Sequence, residues 1–151
     1  IGLIGDLKNS RVQHSQADLL RHFNVKFLLI SPGELKMPND IVEMLQATDS
    51  ELVMGSDFDG SIAQMDVISM SRIQEERFPN RAEYERLKGV YVLDANLMKN
   101  AKEKAIVIQP LPRVDEVAVE VDSDPRARYF QQIRNGIAVR MALLALITGK
   151  A

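Results

Sequence analysis

The sequence predicts an α/β domain: a doubly wound, mainly parallel sheet with helices on both faces and a long C-terminal helix. Three observations predict it. Short apolar runs alternate with helical patterns from end to end. Several of those runs are apolar throughout instead of alternating with polar residues, as strands buried on both faces of a helix-covered parallel sheet are. No linker or internal repeat interrupts the 151 residues, and 46% apolar with 26% charged residues is the composition of one folded domain with its own core.

The elements follow in βα order. Strands are expected at residues 1–5, 27–31, 52–55, 67–70, 90–93 and 105–108, where the runs IGLIG, FLLIS, LVMG, VISM, VYVL and AIVI stand. Between them, helices or helical turns are expected at 11–23, 40–47, 61–64, 81–88 and 94–100. This alternation places ligands in the loops at the carboxyl ends of the strands. The last strand stops at Pro110-Leu111-Pro112. Proline has a fixed φ and no N–H, so this stretch is neither strand interior nor helix. It leaves carbonyls such as that of Leu111 in need of donors: either a rigid corner or a ligand contact. From Ala127 on, Phe130, Ile133, Ile137, Met141 and Leu144 recur every three or four residues, one face of a long helix. Its end, MALLALI, is apolar on all sides and calls for cover, either within this domain or from another domain or subunit. The start, IGLIGD, has no initiator Met and enters directly into a strand, as in a piece of a longer protein.

Composition excludes several classes of function. Nineteen basic against 21 acidic residues give a net charge of −2, hence no general attraction to nucleic acid or anionic membrane. The absence of cysteine excludes disulfides and thiolate metal sites and fits a reducing compartment. No apolar run approaches the ~20 residues that span a bilayer, so the chain reads as soluble.

Three loops carry chemistry. GDLKNSRVQHS offers Lys8, Arg11 and His14 at a helix start, either an anion site or a solvated, Asp6- or Ser10-capped terminus. GLIGD lacks the G-x-G-x-x-G spacing of a dinucleotide loop. SRIQEERF offers Arg72, Gln74 and Arg77 among Glu75 and Glu76. An arginine fork matches a carboxylate or phosphate, and an amide both donates and accepts, which together suit a zwitterion; the alternative is a charge-balanced surface loop. QPLPRVDE presents Arg113, Asp115 and Glu116. His14 and His22 are eight residues apart, not the spacing of a helical metal site. With no G-x-S-x-G elbow and no cysteine, covalent catalysis has no nucleophile. What remains is a site that orients and electrostatically stabilises anionic reactants, sufficient for transfer of an activated group to an amine.

GDLKNSRVQHS, LKMP, DVISMSRIQEERF, PLPRVDE, VDSDPRARYFQQ and NGIAVRMALLAL, in this order, resemble the carboxyl-terminal, aspartate-binding domain of the aspartate carbamoyltransferases over nearly the whole chain. The resemblance implies condensation of carbamoyl phosphate with L-aspartate to N-carbamoyl-L-aspartate and phosphate, in pyrimidine synthesis, without cofactor or metal. It implies that Arg11 and Arg72 hold the two carboxylates of aspartate with Gln74 assisting, and that the backbone at Leu111 and Pro112 accepts from the carbamoyl amide. Ornithine carbamoyltransferases share the fold, but Arg72, Gln74 and the Pro-Leu-Pro-Arg run favour aspartate. Three positions depart from the usual pattern: Gln109 stands where His is usual, Glu75 where Lys is usual, and Ser10-Arg11-Val12 where Gly-Arg-Thr is common. The amino-terminal half, with its Ser-Thr-Arg-Thr-Arg phosphate loop and catalytic His, is not in this sequence. By the resemblance the active site lies between the two halves and borrows residues from a neighbour in a cytoplasmic homotrimer, so residues 1–151 alone are incomplete as an enzyme. A non-catalytic aspartate-binding or regulatory module on the same fold is the alternative expectation.

Overall fold

A computed structural model describes residues 1–150. Strands β1 (Gly2–Gly5), β2 (Lys26–Ile30), β3 (Glu51–Gly55), β4 (Val67–Ser71) and β5 (Ile106–Ile108) form one sheet in the order β3-β2-β1-β4-β5. Every neighbouring pair is parallel, so the sheet is wholly parallel and not merely mainly so. The helices are α1 (Arg11–Leu20), α2 (Asn39–Gln46), α3 (Phe58–Ser61), α4 (Arg81–Leu87) and α5 (Tyr129–Ile147). From β1 the chain winds outward through β2 to β3. It then returns across the sheet to β4 on the other side of β1, so strand order reverses between β1 and β4.

Successive side chains of a strand point to opposite faces, and the central strands β1, β2 and β4 are mostly apolar for that reason, with Ser69 and Ser71 the buried polar exceptions in β4. Leu3, Phe27 and Leu29 join Leu7, Ala17, Met37, Val42 and Leu45 in the core beneath α1 and α2. Ile4, Leu28, Ile30, Ile68 and Met70 face the other way, against Phe58, Ile62, Met98, Val121 and Tyr129. Gly5 is required where the order reverses: its φ is 112°, and a Cβ there would stand 2.1 Å from the Ser71 carbonyl oxygen. A side chain would force β1 and β4 apart at their carboxyl ends.

Some expectations change. Residues 90–93 are not a strand of the sheet. Tyr91 and Leu93 are buried while Val90 and Val92 face out, as in a strand. Only Leu93 pairs with another extended segment, however, in an isolated bridge to Val117. The helix expected at 94–100 shortens to a 3-10 turn, Leu97–Asn100, because the Asp94 carboxylate accepts from Leu97 N and starts the turn late. The one expected at 61–64 begins earlier, at Phe58, where Asp57 caps it, and ends as the 3-10 turn Ile62–Gln64. β3 is an edge strand with Val53 and Met54 exposed, so its apolar run does not mark burial on both faces. Among the described residues no helix is long and apolar enough to cross a membrane.

Candidate functional site

At the carboxyl ends of β1, β4 and β5, the switch point where ligands bind in open α/β sheets, three loops enclose a cleft of about 190 Å³. It is lined by Asn9, Ser10, Arg11 and Val12 from the first loop, Ser71, Arg72 and Gln74 from the second, and Gln109, Pro110, Leu111 and Pro112 from the third. A larger cleft of about 430 Å³ lies at the ends of β2 and β3. Lys36 is its one charged lining residue and Leu29, Met37 and Met54 make much of its wall, so the smaller cleft has the recognition chemistry.

The first loop is built to hold Arg11 at the start of α1. Buried Asp6 accepts from Asn9 N at 3.0 Å and from the Asn9 amide. Ser10 Oγ caps α1 by accepting from Gln13 N at 3.4 Å. His14 turns away from the cleft to meet the Leu7 carbonyl at 2.7 Å, and Lys8 does not line the cleft. Of Lys8, Arg11 and His14, Arg11 alone lines the cleft.

In the second loop, Arg72 and Gln74 leave β4 and the 3-10 turn Glu75–Arg77 carries the flanking charges. Both guanidinium Nη atoms of Arg72 donate to the Glu76 carboxylate. That bond holds Arg72 above the ordinary guanidinium pKa and Glu76 below the usual carboxylate range. The pair is partly exposed, and such pairs contribute only ~0–1 kcal/mol. Arg72 can therefore exchange Glu76 for another carboxylate at small cost. Arg77 is exposed and does not line the cleft.

In the third loop, Leu111 adopts φ 54° and the Leu111-Pro112 peptide is cis. Leu111 N donates to Gln109 Oε1, whereas no donor among the described residues meets the Leu111 carbonyl. Arg113 departs from the cleft. It pairs with Asp122, donates to Tyr129 Oη at 3.2 Å and stacks over the Tyr129 ring, fastening the loop to the base of α5. Residue types did not single out Ser71. It is buried, ends β4 beside Gly5, and its hydroxyl has no hydrogen-bond partner. Its only sequence signal is its position directly before Arg72. Among the described residues, no three His, Cys, Asp or Glu side chains group to hold a metal ion.

The cleft thus gathers two arginines, an amide and an unpaired carbonyl around a space of small-molecule size. The model for the aspartate/ornithine carbamoyltransferase Asp/Orn binding domain matches residues 1–147. The chain belongs to the aspartate/ornithine carbamoyltransferase family. It is 48% identical over 149 residues to the aspartate carbamoyltransferase catalytic subunit of Thermococcus gammatolerans, covering 99% of this chain and 48% of that protein. Its identity to the Clostridium perfringens catalytic subunit is 50% over 153 residues, covering 100% of this chain and 50% of that subunit. Among solved structures, the M. jannaschii aspartate transcarbamoylase catalytic subunit superposes with a TM-score of 0.90 at 40% identity, over 99% of this chain and 50% of that one. The Trypanosoma cruzi aspartate transcarbamoylase in complex with carbamoyl phosphate and aspartate superposes with a TM-score of 0.86 at 38% identity, over 95% and 48%. The chain spans about half the length of the carbamoyltransferase catalytic subunits it matches.

Proposed function

We propose that this domain is the aspartate-binding half of an aspartate carbamoyltransferase, in which carbamoyl phosphate and L-aspartate give N-carbamoyl-L-aspartate and phosphate for pyrimidine synthesis. The observation that carries the proposal is the convergence of Arg11, Arg72 and Gln74 with Leu111 and Pro112 on one cleft. Two arginine forks match the two carboxylates of aspartate. They disfavour the cationic side chain of ornithine, the other substrate class of the family. With the carboxylates held, the α-amine is aimed at the carbamoyl carbon. Its nitrogen forms the new C–N bond, the C–O bond to phosphate breaks, and the amine loses a proton. The Leu111 carbonyl accepts from the carbamoyl amide and fixes the electrophile. No side chain of the cleft acts as nucleophile; the domain contributes orientation and charge.

The rest of the site belongs to an amino-terminal carbamoyl-phosphate domain, in keeping with relatives twice as long. The exposed apolar side of α5 is a suitable surface for that domain. A cytoplasmic homotrimer completes the reading. Residues 1–151 alone are expected to form no carbamoyl aspartate above background, and the chain joined to an amino-terminal half is expected to form it. Turnover by the isolated chain would overturn the division of labour. A joined enzyme that folds yet never turns over would favour the non-catalytic module.

A further inference from the structure

We propose that Gln109 is a positioning residue for carbamoyl phosphate, acting through Leu111; the inference rests on the reading of this loop as the carbamoyl side of the cleft. Gln109 is 1% exposed and uses both ends of its amide. Its Oε1 accepts from Leu111 N, and its Nε2 donates to Glu116 Oε1 at 2.5 Å. Glu116, 3% exposed, takes Val114 N and Asp115 N on its other oxygen at 3.0 and 3.2 Å. Behind them, Gln132 of α5 accepts from Gln109 N, and Leu93 N donates to the Glu116 carbonyl. A buried amide and a buried carboxylate therefore bracket residues 109–116, with Pro110-Leu111-Pro112 bulging from the bracket into the cleft.

The bracket matters because of what it holds. A leucine at φ 54° stays there only where its surroundings over-determine it. Prolines on both sides remove the neighbouring N–H groups, so Leu111 N is the only backbone donor between Gln109 and Arg113. Gln109 takes that one donor. Through it, Gln109 fixes the Pro110–Leu111 peptide plane, from which the strained Leu111 backbone directs the next carbonyl, its own, at the carbamoyl group, without touching substrate itself. The position needs one acceptor and one donor in fixed geometry, which an amide supplies without titrating. A neutral imidazole offers the same two functions; an apolar side chain of equal size offers neither.

The test compares Gln109→Met with Gln109→His in the complete two-domain enzyme at pH 8. Gln109→Met is expected to raise KM for carbamoyl phosphate at least about tenfold, the scale of a lost orienting hydrogen bond, with KM for aspartate little changed. Gln109→His is expected to restore most of it. Hydrogen exchange supplies a readout besides activity: a peptide spanning residues 110–112 carries only the Leu111 amide, which should exchange roughly tenfold faster or more in Gln109→Met and near the native rate in Gln109→His. Unchanged Leu111 exchange overturns the proposal, as does faster exchange with an unchanged KM for carbamoyl phosphate. If the unsubstituted enzyme shows no turnover, the functional reading fails, while unaltered exchange would still refute the hold of Gln109 on Leu111. Should Gln109→Met not fold, Gln109→Asn, one methylene too short to reach both partners, carries the same expectations.

Discussion

Tyr129 has no exposed surface, yet its hydroxyl donates to Asp122 and accepts from Arg113. Burial, and then the adjacent carboxylate, push its pKa from 10 up to about 12. A group whose folded pKa is raised contributes stability that is complete below its unfolded pKa and lost as pH rises through the folded one. Stability should therefore fall by roughly 2–3 kcal/mol between pH 10 and pH 12 on account of Tyr129. Tyr129→Phe should lack that component in urea unfolding across the same range; an identical loss in both proteins would contradict it. Residue types foretold part of this picture. Arg11, Arg72, Gln74, Leu111 and Pro112 all line the cleft. Lys8, His14 and Arg113 stood as close in sequence but turn elsewhere, because a loop's hydrogen bonds and not its composition decide where a cation points. Nothing in a sequence tells that Arg113 would find Asp122 nine residues on.

The junction of β1 with β4 decides whether the cleft exists. Gly5 occupies a φ of 112° with the Ser71 carbonyl where its Cβ would be. The conformation alone costs a side chain ~1–3 kcal/mol, and the backbone clash adds to that. Gly5→Ala should lower unfolding stability by at least that amount and separate the loops bearing Arg11 and Arg72; a fully stable, active variant would refute the close approach. At this scale the central strands were plain in the sequence, since their mostly apolar runs suit strands covered by helices on both faces. The edge strand and the segment 90–93 were not. An exposed edge can be as apolar as a buried strand, and the alternation of Tyr91 and Leu93 with Val90 and Val92 is strand-like even where only one residue finds a pairing partner. Element ends shifted wherever a single side chain, such as Asp94 or Asp57, fixed the first turn.

At the scale of the molecule, α5 stands apart. Phe130, Ile137, Met141 and Leu144 are more than half exposed, while only Tyr129 at its start is buried. The all-apolar end of this helix was legible in the sequence as a surface needing cover, and the domain itself does not provide it. Its partner in our account is the half that the chain's relatives also contain. In our reading the cleft receives the carboxylates of aspartate, and the decisive measurement is the aspartate kinetics of the complete enzyme carrying Arg72→Ala. Losing one charge-assisted pair to a desolvated carboxylate costs on the order of 2–5 kcal/mol, or roughly 30- to several-thousand-fold in kcat/KM for aspartate. Arg72→Lys should recover only part, because an ammonium lacks the fork. Arg86→Ala, which removes an exposed pair with Glu34 on the surface of α4, should change little. If the two alanine variants fold and are equally efficient with aspartate, Arg72 is not a ligand and the aspartate site is not in this cleft.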